Sequence, residues 1–123
     1  MKSKNDRLIT KRKRGLKLQL QRVVYQGSET YLVMKISNRS EIDFEVDYLK
    51  VYTANGNKNR KASYQRLEQD VLYRHQMPTI IKNGQSQRLV VVVQKFVLGE
   101  DEKLMLELKE LNGSRKVVLV TNL

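Results

Sequence analysis

Three carboxylates at alternate positions are the first candidates for chemistry in this chain. Asp43, Glu45 and Asp47 would share one face of a β-strand, with neighbouring side chains ~7 Å apart. Carboxylate oxygens in such a row suit a hard cation. The same row also describes a strand whose outer face meets water and faces basic residues on the next strand, where opposite charges contribute only ~0.2–1 kcal/mol a pair. We favour this second interpretation and expect no metal site.

Nucleophilic catalysis with a Ser-His-acid set would have to use His75, the single histidine. It lies in "YRHQMP", a charged stretch that ends at a proline, and no Gly-x-Ser-x-Gly elbow accompanies it. The chain has no cysteine, which excludes disulfides, thiolate zinc sites and cysteine nucleophiles. The Asn-Gly segments at residues 55–57 and 112–114 indicate hairpin turns rather than a phosphate-binding loop. We therefore expect a loop histidine, no catalytic residue and no cofactor.

Interleaved basic and aromatic residues between positions 58 and 74 are the best candidates for binding a partner. They are Lys58, Arg60, Lys61, Tyr64, Arg66, Tyr73 and Arg74. Such a set can follow a phosphate backbone and stack bases. It can equally close the open end of a domain, with lysine and arginine stems covering the tyrosines. We predict a protein-docking surface, and weak contact with nucleic acid is the alternative.

Charge is unevenly distributed along the 123 residues. The net charge of +11 favours acidic partners such as nucleic acid, anionic lipid or an acidic protein face. Residues 1–15 hold seven basic residues and one acidic residue, a net +6, with little to bury. We predict a basic flexible arm or linker over residues 1–15 and one folded domain over residues 16–123. No apolar run approaches the ~20 residues of a membrane-spanning helix, so we expect no transmembrane segment.

The elements that would position these residues are short strands. Apolar and polar residues alternate, as in half-buried strands, over residues 16–21, 29–37, 44–53 and 103–111. The alternation slips at Tyr48-Leu49, which indicates a bulge or the end of a pairing. Residues 58–77 fit either a short strand with a loop or one helical turn. Turn signals separate about seven strands, and we predict an all-β fold, an immunoglobulin-like antiparallel β-sandwich.

The order of these signals resembles the TraN family of conjugative-transposon proteins from Bacteroides and its relatives. The matching segments are "KISNRSEIDFEVDYLKVY", "KNRKASYQ" and "VVVVQKFVLGEDEKLMLELKELNGSRKVVLV". They contain an Asn-x-Ser strand end at Asn38 to Ser40, the stretch from Arg60 to Gln65, and a Glu-x-Asn-Gly-x-Arg hairpin from Glu110 to Arg115. The resemblance implies a β-sandwich similar to that of the periplasmic core subunit in type IV secretion systems.

The same resemblance implies a function for the chain. It points to a non-enzymatic component of a conjugative transfer apparatus, similar to type IV secretion, that serves as a protein-interaction module. The expected location is the cell envelope, on the periplasmic face. The expected partners are other proteins of the apparatus, an outer-membrane lipoprotein or a channel subunit, and the isolated domain is expected to be monomeric. The alternative function is a nucleic-acid-contacting β-domain of the same transfer system.

Overall fold

Antiparallel β-strands form the fold in the part of the chain that the computed structural model describes, residues 2–5, 9–55 and 65–122. The strands are β1 (Lys2–Asn5), β2 (Ile9–Lys13), β3 (Leu16–Gln26), β4 (Glu29–Asn38), β5 (Phe44–Asn55), β6 (Gln65–Glu68), β7 (Val71–His75), β8 (Ile80–Ile81), β9 (Ser86–Gln94), β10 (Glu102–Glu110) and β11 (Lys116–Thr121). Within these residues there is no helix of the length and hydropathy needed to cross a membrane.

Two sheets pack face to face. The six-stranded sheet has the order β1-β3-β4-β9-β7, with β2 also paired to β3, and the five-stranded sheet has the order β11-β10-β5-β6, with β8 also paired to β5. Immunoglobulin-like domains place their A, B, E and D strands in one sheet and C, F and G in the other. Here β3, β4, β9 and β7 correspond to the first set, and β5, β10 and β11 to the second. The predicted immunoglobulin-like β-sandwich of about seven strands is confirmed, and β1, β2, β6 and β8 are short additions to it.

The core lies between the sheets and follows from the alternation in the sequence. On β3 every second residue from Leu16 to Leu20 is buried, and on β10 the same holds from Leu104 to Leu108. Phe44, at the start of β5, is also fully buried. A second and smaller apolar cluster, on the outward face of the five-stranded sheet, consists of Tyr52, Ala54 and Met105.

The pairing of β5 with β10 contains a register slip. Lys109 faces Tyr48, but its neighbour Glu110 faces Val46. Asp47 is therefore an extra residue on β5, and the inward and outward positions of the strand exchange there. The sequence alternation indicates a slip at this part of β5, one residue further along the chain.

Part of the basic N-terminal segment, for which composition predicts a flexible arm, forms a strand. Residues Ile9–Lys13 form β2 and pair with the first half of β3. Ile9 packs against the core, and the Arg14-Gly15 turn joins β2 to β3. The sheet therefore begins before residue 16. The charged side chains of β2 are tolerated because this strand lies at a sheet edge, where charge also deters unwanted pairing with other strands.

The stretch at residues 58–77, for which the sequence leaves two possibilities, is extended where it is described. Residues 65–68 and 71–75 form β6 and β7, and no helical turn occurs between residues 65 and 77. Because both strands lie at sheet edges, they lack the regular alternation that identifies a half-buried strand.

Candidate interaction surface

Strands β6 and β7 bring the edges of the two sheets together on one side of the sandwich. β6 ends the five-stranded sheet, β7 ends the six-stranded sheet, and only Gln69 and Asp70 separate them. The Gln69 N–H donates to the Val51 carbonyl at 2.8 Å, which holds the chain against β5 up to the crossing. An edge strand presents backbone N–H and C=O groups that can pair with another strand. We call the strands β6, β7 and β8 together the β6–β8 edge.

Large apolar side chains are exposed along the β6–β8 edge. Leu67 is 67% exposed, Tyr73 59%, Leu72 47% and Ile80 41%. These are four of the eight large apolar side chains that are exposed among the described residues. Exposed apolar surface of this kind, where it is contiguous, marks sites of interaction. The edge therefore combines apolar side chains with backbone groups available for pairing.

A groove opens where β5 lacks a neighbouring strand on this side. β8 pairs with the start of β5 and β6 pairs with its end, and among the described strands none pairs with residues 47–50 from this side. The groove has a volume of about 280 Å³, and Arg74 and Met77 line it together with β5. A short extended peptide would find an open strand edge there.

Arg66, on β6, is fixed against the outward face of the five-stranded sheet. Its Nη1 donates to Glu107 Oε1 at 2.7 Å, and its guanidinium carbon lies 4.1 Å from the centre of the Tyr52 ring. A guanidinium over an aromatic face is attracted by the ring electrons. The side chain is still 44% exposed. Arg66 therefore joins β6 to β5 and β10 while keeping part of its surface in reach of a partner.

Glu107 is a buried carboxylate that the sequence does not single out. The Tyr48 hydroxyl donates to its Oε2 at 2.8 Å, and Lys116 Nζ lies 3.7 Å from the same oxygen. Burial raises the pKa of Glu107, but the hydrogen bonds from Tyr48 and Arg66 and the charges of Arg66 and Lys116 outweigh burial, so the pKa lies below its ordinary value. Burial and the hydrogen bond to Glu107 raise the pKa of Tyr48 to about 12. Position 107 faces outward from β10, so Glu107 is buried only because side chains from neighbouring strands cover it.

Strand β7 directs its side chains to opposite faces. Tyr73 and His75 lie opposite outward-facing residues of β9, and their rings stack with centres 6.5 Å apart. Arg74 lies between them and lines the groove. His75, expected in a loop, is therefore an exposed residue of an edge strand.

Three of the seven predicted contact residues lie on the β6–β8 edge: Arg66, Tyr73 and Arg74. The other four, Lys58, Arg60, Lys61 and Tyr64, lie outside the described residues. The sequence does not select Leu67 and Leu72, which supply much of the exposed apolar surface. Leu67 is a lone leucine in a polar stretch, and Leu72 stands between Val71 and Tyr73 without a regular alternation, so the sequence does not show that either faces water.

The Asn38 to Ser40 and Glu110 to Arg115 motifs meet at one end of the sandwich. The buried Arg115 guanidinium donates to both Glu110 carboxylate oxygens, at 3.1 and 2.8 Å, and to the Ser40 hydroxyl at 3.0 Å. The Asn38 side chain is fully buried, and its amide donates to two backbone carbonyls. These bonds fasten the β10–β11 hairpin to the β4–β5 connection, so stability of the fold accounts for these motif residues.

Two of the three alternating acids, Asp43 and Asp47, have different partners. The Asp43 carboxylate accepts a hydrogen bond from the Asn83 N–H at 3.0 Å, and an Asp47 carboxylate oxygen lies 3.9 Å from Lys109 Nζ. In residues 9–55 and 65–122, no three His, Asp or Glu side chains are placed to hold a metal ion together. The contact of Asp47 with Lys109 is a pairing of opposite charges between adjacent strands.

The chain matches one family model along almost its whole length. The match covers residues 1–122, and the family is described as "Domain of unknown function (DUF4138)". No match is found among curated proteins. Because the matched region includes every described strand of both sheets, the chain belongs to the DUF4138 family.

Proposed function

We propose that the chain is a non-enzymatic docking domain of a conjugative transfer apparatus and that it binds a protein partner through the β6–β8 edge. The observation that carries the proposal is that exposed apolar side chains lie near a stretch of β5, residues 47–50, that has no neighbouring described strand on this side. The proposed location is the periplasmic face of the cell envelope. The proposed partners are an outer-membrane lipoprotein or a channel subunit of the apparatus.

The chemistry of the edge suits an extended protein segment. When a peptide adds a strand to a sheet, backbone hydrogen bonds supply affinity and pockets for alternate side chains supply specificity. Leu67 on β6 and Tyr73 on β7 are exposed on the β6–β8 edge, whose groove is lined by Arg74 and Met77. Fully burying one such side chain contributes about 1.5–3 kcal/mol. A partner with alternating apolar residues would gain from both sources at once.

The proposed role in conjugation is more specific than the DUF4138 family description, and it rests on the resemblance to TraN proteins. Two of the three segments that carry the resemblance meet in the network around Arg115. That network holds the sandwich together, so it supports a shared fold.

Replacing Leu67 and Tyr73 together by aspartate should lower the frequency of conjugative transfer of an element that carries the gene. We expect a fall of about tenfold or more, because losing ~1.4 kcal/mol of binding free energy weakens an equilibrium tenfold. Both side chains are exposed, so the fold should tolerate the change. Transfer frequency is measured by mating, and protein level by immunoblot.

The matched control changes two other exposed apolar residues. Leu111→Asp with Val120→Asp adds the same two charges near the β10–β11 hairpin and on β11, away from the β6–β8 edge. This variant should transfer at the normal frequency. An unchanged frequency for the Leu67 and Tyr73 variant, or an equal fall for the control, would contradict docking at the β6–β8 edge.

A further inference from the structure

Four basic side chains form a row across the outward face of the six-stranded sheet. They are Arg12 on β2, Lys17 on β3, Lys35 on β4 and Arg88 on β9. Arg12 is the direct cross-strand partner of Lys17, and Lys35 is the direct partner of Arg88. In each strand the positions before and after the basic residue lie on the inward side of the sheet, so the basic side chain points outward. Because neighbouring strands lie ~4.8 Å apart, the row spans roughly 14 Å across four adjacent strands.

These charges are not neutralised within the described residues. Arg12, Lys17, Lys35 and the nearby Arg39 take part in no ion pair there. Arg88 donates to the neutral Gln21 side chain at 3.1 Å. Burial lowers the pKa of Lys17, and the positive charges of Arg39, Arg12 and Lys35 lower it further. Like charges therefore lie close enough to repel one another, which is unfavourable for the isolated domain and favourable for binding an anion.

One end of the row opens into a groove. The groove has a volume of about 430 Å³, and its charged lining residues are all basic: Arg12, Lys13, Arg14, Lys17 and Arg39. The β2–β3 turn and the end of β4 place them there. An anion entering this groove would meet several donors at once, with no acidic side chain in the lining to oppose it.

We propose that this basic face binds the phosphodiester backbone of nucleic acid, independently of the β6–β8 edge. A nucleic acid strand carries one charge about every 3.4 Å, so a row of four cations can neutralise several phosphates in succession. Contacts of this kind hold the backbone and do not read the sequence of bases. A membrane surface is less suitable, because amphipathic membrane binding buries large apolar side chains beside the cations. The exposed large apolar residues of the described chain lie outside this row.

The test compares equal charge losses on opposite faces of the complete chain. Binding to a short mixed-sequence DNA duplex is measured by fluorescence anisotropy over about 50 to 200 mM salt, where counterion release makes the affinity steeply salt-dependent. Lys17→Gln with Lys35→Gln should reduce the slope of log affinity against log salt by about two, since each phosphate contact contributes about 0.9. The control, Lys50→Gln with Lys109→Gln, removes the same charge from the outward face of the five-stranded sheet and should leave the slope nearly unchanged.

Two results would overturn the proposal. Equal reductions in slope for both variants would mean that DNA is attracted by the total charge and not by this face. Binding to phosphatidylglycerol vesicles that depends on Lys17 and Lys35, with DNA binding unaffected by their replacement, would assign the face to a membrane. Thermal unfolding of both variants checks that the fold is intact. Neither result bears on the docking edge, which is tested by transfer frequency with the Leu67 and Tyr73 variant.

Discussion

At the scale of single residues, Glu107 shows how a charge becomes buried on the outward face of a sheet. Arg66, Tyr48 and Lys116 surround its carboxylate, so the residue is only 2% exposed. A hydrogen bond to a charged group contributes more than one between neutral groups. The arrangement also holds Arg66, and with it β6, in a fixed position beside the groove.

We predict that Glu107→Gln lowers the free energy of unfolding by about 2 kcal/mol at pH 7, because charge-assisted hydrogen bonds are lost. The folded-state pKa of Glu107 lies below its ordinary value. The ionised carboxylate therefore stabilises the fold above the unfolded pKa, and this contribution is lost as pH falls through the folded pKa. Urea unfolding of both proteins should show the difference at pH 7 and a smaller difference in acid.

The matched control for this prediction is Glu45→Gln, which removes an exposed carboxylate from β5. Its unfolding free energy should stay within ~0.5 kcal/mol of the parent, as is usual for surface substitutions. A Glu107 deficit that is the same at both pH values would show that the side chain acts through its shape alone.

At the scale of elements, the sequence predicts the strands that bury one face and misses those at the edges. β3 and β10 can be predicted from the sequence because every second residue of each strand is apolar and faces the core. β2 and β6 bury little, so their charged and polar residues resemble a linker. β2 is placed by its pairing with β3, and β6 by its pairing with β5. A local pattern of apolar and polar residues does not reveal such pairings. The same reason explains why the candidate surface could be predicted as a region, yet its apolar residues, Leu67 and Leu72, could not.

The turn between β2 and β3 offers a test of how closely the elements pack. Gly15 has φ of +84°, and a Cβ on it would lie 2.6 Å from the Ser40 Cβ. Gly15→Ala should therefore lower the free energy of unfolding by more than the ~1–2 kcal/mol that an alanine with a left-handed backbone conformation costs, because the chain must also move away from Ser40. Thermal and urea unfolding measure the loss.

Gly84→Ala is the matched control, since Gly84 has φ of +80° with open space around it. Gly84→Ala has the cost of a left-handed backbone conformation but no overlap of the new Cβ with a neighbour. Its free energy of unfolding should therefore fall by only ~1–2 kcal/mol. Equal losses at the two glycines would show that the turn between β2 and β3 is not packed tightly against Ser40.

At the scale of the whole molecule, the sandwich separates its surfaces by chemistry. Four of the eight exposed large apolar side chains of the described residues lie on the β6–β8 edge, whereas Arg12, Lys17, Lys35 and Arg88 form a basic row on the outward face of the six-stranded sheet. The composition predicts an acidic partner from the net charge of +11, but it cannot predict this separation. Only the cross-strand register brings Arg12, Lys17 and Lys35 to one face.

A chain restricted to residues 16–123 tests where the folded domain begins. We expect it to be less stable than the complete chain by about 1–2 kcal/mol, because it loses the partly buried Ile9 and the pairing of β2 with β3. Urea unfolding followed by circular dichroism gives both free energies. Equal stability of the two chains would support a linker over residues 1–15.

The network around Arg115 has a consequence for the order in which the chain folds. Arg115 donates to a hydroxyl 75 positions earlier in the chain, and β10 is the central partner of β5. The β3–β4 hairpin can form from neighbouring residues, but the second sheet is complete only when β10 and β11 join β5. Folds dominated by such distant contacts assemble slowly. The domain therefore cannot close until its final hairpin, β10–β11, has been synthesised.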